Sequence, residues 1–143
     1  MRKLPNTFKL NIFTPERLFF SDDVEAVEVG LPDGRAVFLA NHIPLIAPVA
    51  VTTTRIKNKE GEWVEAFSSE GFVDVRRNGV MIFVQTCEWP EEIDIKRAET
   101  ARNQAEEALR QKTSMAEYQK SKTDLARAME RLRVSQGRGV GRR

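Results

Sequence analysis

Two groups of charged residues in the second half of the chain carry the side chains best suited to holding an anion. Asp94, Lys96 and Arg97 lie within four residues of one another, and Arg127 and Arg131 stand four apart, about one helical turn. A guanidinium presents a planar fork of N–H donors that matches phosphate in charge and shape. Like charges one turn apart repel, and Asp124 and Glu130 offset the two arginines only in part, so a bound anion is expected to complete the set. Each residue also has a plain structural reading. Asp94 can cap a helix by accepting bonds from its first free amides, with or without a ligand. Arg127 and Arg131 point away from an apolar stripe of Tyr118, Leu125, Met129 and Leu132, as a solvated face would.

Other reactive side chains are sparse. His42, the only histidine, sits among Asn41, Ile43 and Pro44 without a nearby Cys, Asp or Ser, and reads as a turn residue rather than a catalyst. The single cysteine, Cys87, excludes an internal disulfide and a thiolate zinc site and reads as a small strand residue. No Gly-x-x-x-x-Gly-Lys-Ser/Thr phosphate loop, metal-ligand spacing or nucleophile–base pair occurs. A phosphate-bearing molecule held here is therefore a ligand and not a substrate.

The elements that must position these residues change period at Glu88–Ala98. Before it apolar residues alternate: Phe8, Leu10 and Ile12; then Val27, Val29 and Leu31; then the pair around the Asn78-Gly79 hairpin signal. Ser21-Asp22-Asp23 and Leu31-Pro32-Asp33-Gly34 read as turns, and Pro44 and Pro48 make residues 40–48 irregular. Short strands every 8 to 12 residues, roughly, predict an antiparallel β-sandwich or flattened barrel over residues 1–92. Pro90 ends its last strand and holds Trp89 extended.

After it Ala98, Ala101, Ala105, Ala108 and Leu109 fall three and four apart on one helical stripe. Ser114 followed by Glu117 is a capping-box pattern that starts a second helix. Residues 93–135 therefore form an antiparallel two-helix hairpin, giving a β plus α chain, and residues 136–143 form a disordered basic tail. An alanine stripe buries little area, so the hairpin needs a second surface to lie on or else is movable.

With 41% hydrophobic and 31% charged residues, the 143-residue chain has the composition of a soluble protein, and no apolar run is long enough for a membrane span. A cytoplasmic location is expected, attachment to something in a membrane remaining open. Residues 1–92 hold 10 Lys and Arg against 14 Asp and Glu, net −4; residues 93–143 hold 13 against 7, net +6. A basic appendage on an acidic body seeks an acidic protein surface, phosphates or nucleic acid. A nucleic-acid or ribosome-associated module using the hairpin and Arg138, Arg142 and Arg143 is the competing reading. Against it stand helices without interleaved aromatics, apart from Tyr118, and the acidic sandwich.

Several ordered stretches together resemble the epsilon subunit of the F-type ATP synthase, called delta in mitochondria. Ile12-Phe13-Thr14-Pro15-Glu16 is similar to that family's opening strand and turn. Leu39-Ala40-Asn41-His42-Ile43-Pro44-Leu45 is similar to its Leu-Pro-Gly-His-x-Pro-Leu segment, and Phe67–Val75 to its Gly-Gly-Phe strand. Ile93-Asp94-Ile95-Lys96-Arg97-Ala98 fits its Ile/Leu-Asp-x-x-Arg-Ala motif, and Arg127–Leu132 fits the end of its second helix. Ala40-Asn41 replaces the usual Pro-Gly, and Glu70 replaces one glycine of the Gly-Gly pair. Asn tolerates left-handed backbone angles, so the first turn is expected to survive.

The resemblance implies a non-catalytic regulatory and structural subunit of the central stalk, peripheral on the cytoplasmic face of the cell membrane. Its partners would be the gamma subunit and c-ring through the sandwich, and the catalytic beta and alpha subunits through the basic hairpin, with no nucleic acid and no membrane span of its own. The hairpin would move between a folded position and an extended one that blocks ATP hydrolysis. No cofactor is required, and ATP would be a regulatory ligand of Glu88, Ile93, Asp94, Arg97, Ala98, Arg127 and Arg131, with the three arginines on phosphate.

Overall fold

The computed structural model describes residues 6–111 and 114–137. Strands β1 (Phe8–Phe13), β2 (Leu18–Leu31), β3 (Gly34–Phe38), β4 (Leu45–Val49), β5 (Thr52–Asn58), β6 (Trp63–Ser68), β7 (Gly71–Arg76), β8 (Gly79–Val84) and β9 (Cys87–Glu88) come first. A single 3-10 turn, Pro90–Glu92, leads into helices α1 (Ile95–Gln111) and α2 (Met115–Gln136). Alternation builds the sandwich core. Phe8, Leu10 and Ile12 of β1, Val73 and Val75 of β7, and Val80, Ile82 and Val84 of β8 are buried, and the residues between them are more exposed.

The strands run in the order β4-β7-β8-β1-β2-β5-β6-β9, with β3 also paired to β2. Three features differ from the sequence expectation. Ser21, Asp22 and Asp23 do not turn; they continue β2 opposite Asn11, Leu10 and Lys9 of β1. Their side chains stay in water while their backbone groups satisfy the ladder, which composition alone does not report. Residues 45–49 form a strand despite Pro48, and that strand lies at the sheet edge, where a missing N–H is tolerated. The sheet is also not wholly antiparallel, because β1 and β8 pair in parallel from Lys9–Gly79 to Phe13–Phe83.

Local chemistry explains the corners. Asn41 takes φ 63°, the left-handed value that a Pro-Gly turn would supply at this place. Asn58 Oδ1 accepts bonds from the Glu60 N–H at 3.0 Å and the Glu62 N–H at 2.9 Å, closing the β5–β6 turn. His42 Nδ1 lies 2.7 Å from the Ile43 carbonyl oxygen, and its ring packs edge-on against Phe38. Cys87 is buried, and burial pushes its thiol well above the ordinary range, so it is a packing residue.

At the junction Trp89 is extended before Pro90 and stacks on Phe19 with ring centroids 4.7 Å apart. Glu92 folds back to accept the Trp89 N–H at 2.9 Å, so the chain leaves the sandwich in a fixed direction. Asp94 Oδ1 then accepts the Arg97 N–H at 3.0 Å and caps α1. Ser114 Oγ accepts the Glu117 N–H at 3.1 Å and caps α2. α1 runs through Gln111, and residues 112 and 113 lie outside the described residues. α2 continues to Gln136 with Gly137 as its C-cap, and the tail from residue 138 on lies outside the described residues. No described helix is long and apolar enough to cross a membrane.

Candidate functional site

α2 packs along α1 on one side and against β5, β6 and the Pro90–Glu92 turn on the other. The face it turns to the sandwich is not the expected one. Tyr118 and Met129 are exposed and Leu125 is half-buried, so of that apolar set only Leu132 is buried. Arg127, Arg131 and Val134, at i, i+4 and i+7, form the contacting stripe instead. The arginine side chains are only 29% and 25% exposed, which corrects the reading of Arg127 and Arg131 as a solvated face. A guanidinium can lie against an aromatic ring while its stem covers apolar surface, and a count of apolar residue types misses this.

The contacts follow from that stripe. The Arg131 guanidinium lies over the Phe67 ring, 4.5 Å from its centroid, and its Nε donates to Glu88 Oε1 at 3.0 Å. Arg127 Nη2 donates to Glu70 Oε2, and its Nη1 lies 3.5 Å from Asp124. Val134, fully buried, packs with Phe67 and Ile93 in a small apolar cluster joined by Val51. Beside it the Thr53 hydroxyl donates to Glu130 and accepts from Arg133.

Between the helices and Thr86 lies a cavity of about 520 Å³, the size of a small-molecule site. Its polar lining includes Lys120, Ser121, Asp124, Arg127 and Arg131, and the alanines at 101, 105, 108 and 128 leave it room. Of the residues expected to form a site, the structure brings Arg127 and Arg131 to this cavity and places Glu88 against Arg131. Ile93 and Ala98 are buried, Ile93 against Phe67 and Val134. Asp94 and Arg97 are exposed at the start of α1, Asp94 engaged as the cap, and neither lines the cavity. Lys120, Ser121 and Glu70 escaped sequence reasoning; the only signal for Glu70 was its departure from a glycine pair.

The electrostatics of α2 docking centre on Glu130. Burial pushes its carboxyl up, but the hydrogen bonds from Arg133 and Thr53 outweigh burial and hold it below its usual value. Arg133 is correspondingly raised, mainly by its bond to Glu130. Arg133 lies on α2 itself and stays beside Glu130 whether or not the helix is docked, so the tie that depends on docking is the Thr53 hydroxyl, which bonds both side chains. With fluorophores at Glu60→Cys and Ala126→Cys, energy transfer between α2 and the sandwich reports docking, and Thr53→Val, which removes the hydroxyl that ties Glu130 and Arg133 to β5, should weaken docking by about 1 kcal/mol. Unchanged energy transfer in Thr53→Val would remove the Glu130 and Arg133 contacts from docking.

Comparison with known proteins fits this architecture. Residues 7–90 match the family model of the ATP synthase Delta/Epsilon chain beta-sandwich domain, and residues 91–136 match that of its long alpha-helix domain. The ATP synthase epsilon chain of Caldanaerobacter subterraneus subsp. tengcongensis is 46% identical over 132 residues, covering 92% of this chain and 96% of its own. That of Ruminiclostridium cellulolyticum is also 46% identical, covering 92% and 98%. A chain of the Euglena gracilis mitochondrial ATP synthase shares the fold at TM-score 0.77 and 19% identity, over 90% of this chain and 81% of its own. Two consecutive domain matches that span nearly the whole sequence, in the order in which sandwich and hairpin occur, place the chain in the ATP synthase delta/epsilon chain family.

Proposed function

We propose that this chain is the epsilon subunit of a proton-translocating F-type ATP synthase, coupling gamma to the c-ring through its sandwich and restraining ATP hydrolysis through a movable hairpin. It is a non-catalytic subunit. The observation that carries the hairpin's role is the narrowness of its docking: one apolar cluster of three buried residues, the Thr53 hydroxyl and a few partly exposed ion pairs hold α2 to the sandwich. Such a contact lets two positions differ by only a few kcal/mol, which a switching element requires. The net +6 of residues 93–143 suits an acidic surface on a catalytic subunit. In the sandwich, Val37, Leu39, Ile43 and Ile46 are exposed apolar residues within one short segment, which suits a protein contact with the rotor at the membrane.

ATP is the regulatory ligand of the folded hairpin in this reading. The cavity has room for it, and Lys120, Arg127 and Arg131 offer its phosphates donors. The proposal is tested by expressing the tagged chain in its own host and purifying it under mild conditions. The gamma and catalytic subunits are expected in stoichiometric amounts, and recovery of RNA in their place would overturn it.

A further inference from the structure

Ser69 and Glu70 form the connection between β6 and β7, and this connection is pinned from below. The Ser69 N–H donates to the Thr86 carbonyl at 3.0 Å, the Thr86 N–H to Ser69 Oγ at 2.8 Å, and the Gln85 N–H to the Glu70 carbonyl at 3.3 Å. Gly71 follows where no side chain fits, because a Cβ there would lie 1.8 Å from the Phe83 carbonyl oxygen. Position 70 carries no such restriction in its own side chain. The Glu70 carboxylate reaches across to α2, where Oε2 accepts from Arg127. Its Oε1 is buried with no hydrogen-bond partner among the described residues, so Glu70 engages the hairpin through one oxygen.

The charges around the cavity are already matched. Lys120 pairs with Asp124 at 2.8 Å, Arg127 with Glu70 and Asp124, and Arg131 with Glu88 at 3.0 Å. A phosphate entering the cavity meets cations that already carry carboxylates, so it shares their remaining N–H donors or takes a carboxylate's place. Asp124 is on α2 and moves with it, so only Glu70 and Glu88 tie these cations to the sandwich. Arg131 is also stacked on Phe67, whereas Glu70 is the sole sandwich carboxylate paired to Arg127 among the described contacts.

We propose that Glu70 is a built-in anion of the hairpin site: it takes on Arg127 the position a phosphate oxygen would take, and so latches the folded hairpin without a ligand. A consequence, resting on the nucleotide reading above, is that ATP competes with Glu70 for Arg127 and binds more weakly than it would to a chain with a neutral residue at position 70. The latch itself stands on the geometry alone.

The test uses the full chain with the energy-transfer pair at Glu60→Cys and Ala126→Cys, together with calorimetric titration of ATP. Without nucleotide, Glu70→Gln and Glu70→Ala should each raise the undocked fraction about three- to fivefold, the worth of one partly exposed ion pair. Glu70→Arg should raise it further, and combining it with Arg127→Glu should restore docking toward the parent. ATP should bind the Glu70→Gln chain about three- to fivefold more tightly than the parent. An unchanged undocked fraction in Glu70→Gln and Glu70→Ala, or a charge swap that restores nothing, overturns the latch. Equal ATP affinity for parent and Glu70→Gln overturns the competition. If no variant binds ATP at millimolar concentration while the undocked fraction responds as stated, the nucleotide reading falls and the latch is supported.

Discussion

Val134→Asp should free the helical hairpin from the sandwich and leave the sandwich folded. Val134 is completely buried, and its cluster partners Phe67 and Ile93 bring no hydrogen-bonding side chain. Losing the valine's burial costs about 1.5 kcal/mol, and a carboxylate taken out of water without a partner costs several more. Against that, each partly exposed ion pair across the contact is worth about 0–1 kcal/mol and the arginine over Phe67 about 1. The penalty exceeds what remains, so the docked population should fall at least about a hundredfold. Energy transfer between α2 and the sandwich should be lost while the fluorescence of Trp89, packed on Phe19 and Phe20, keeps its native position. Retained transfer would mean that the cluster does not hold the hairpin. On the role proposed for the hairpin, the same substitution in the assembled synthase should favour its extended position and lower ATP hydrolysis.

Gly71→Ala acts on the sandwich instead, and its expected effect is larger. The added Cβ would lie 1.8 Å from the Phe83 carbonyl oxygen and 2.8 Å from both the Phe83 carbonyl carbon and the Val84 Cα. All three are backbone atoms of β8, so no side chain can turn aside. The β7–β8 ladder would have to part at the Gly71–Val84 pair, beside the buried Val73 and Val84. A cost of at least about 4 kcal/mol is expected, enough to remove most of a domain's margin. Thermal melting should show the midpoint lowered by more than about 15 °C or no cooperative transition. Gly79→Ala, whose Cβ would meet the Lys9 carbonyl oxygen at 2.9 Å, should melt between this variant and the parent. A Gly71→Ala midpoint within a few degrees of the parent would show that the two strands yield easily here.

What the chain discloses by itself divides by the range of the forces involved. The Asp94 and Ser114 caps and the left-handed Asn41 were legible because each is decided by a residue and its immediate neighbours. The strands with a clean period, such as β1 and β8, were legible because one buried face imposes it. The continuation of β2 through Ser21, Asp22 and Asp23 was not, since it depends on β1 lying alongside. The parallel pairing of β1 with β8 joins segments about 70 residues apart and leaves no local mark. In the site, the unrelieved repulsion of Arg127 and Arg131 pointed to an anion, and family resemblance added Glu88. Their true surroundings were hidden because an arginine facing a phenylalanine and a carboxylate on another element looks, along the sequence, like an arginine facing water. Glu70 was visible only as an oddity until the fold set it opposite Arg127.

The sharing of β2 has a mechanical consequence. Its first half pairs with β1 and its second half with β3, while its middle pairs with β5, so one covalent strand of 14 residues, about 45 Å long, runs through the sandwich. If the rotor contact lies at the exposed apolar segment as proposed, torque applied there is carried along that strand and loads its neighbouring ladders in shear, where many hydrogen bonds resist together. The sandwich is thereby a stiff lever, and a hairpin that swings away from it must first break the Trp89–Glu92 fold-back or the Ile93 contact that fix its exit.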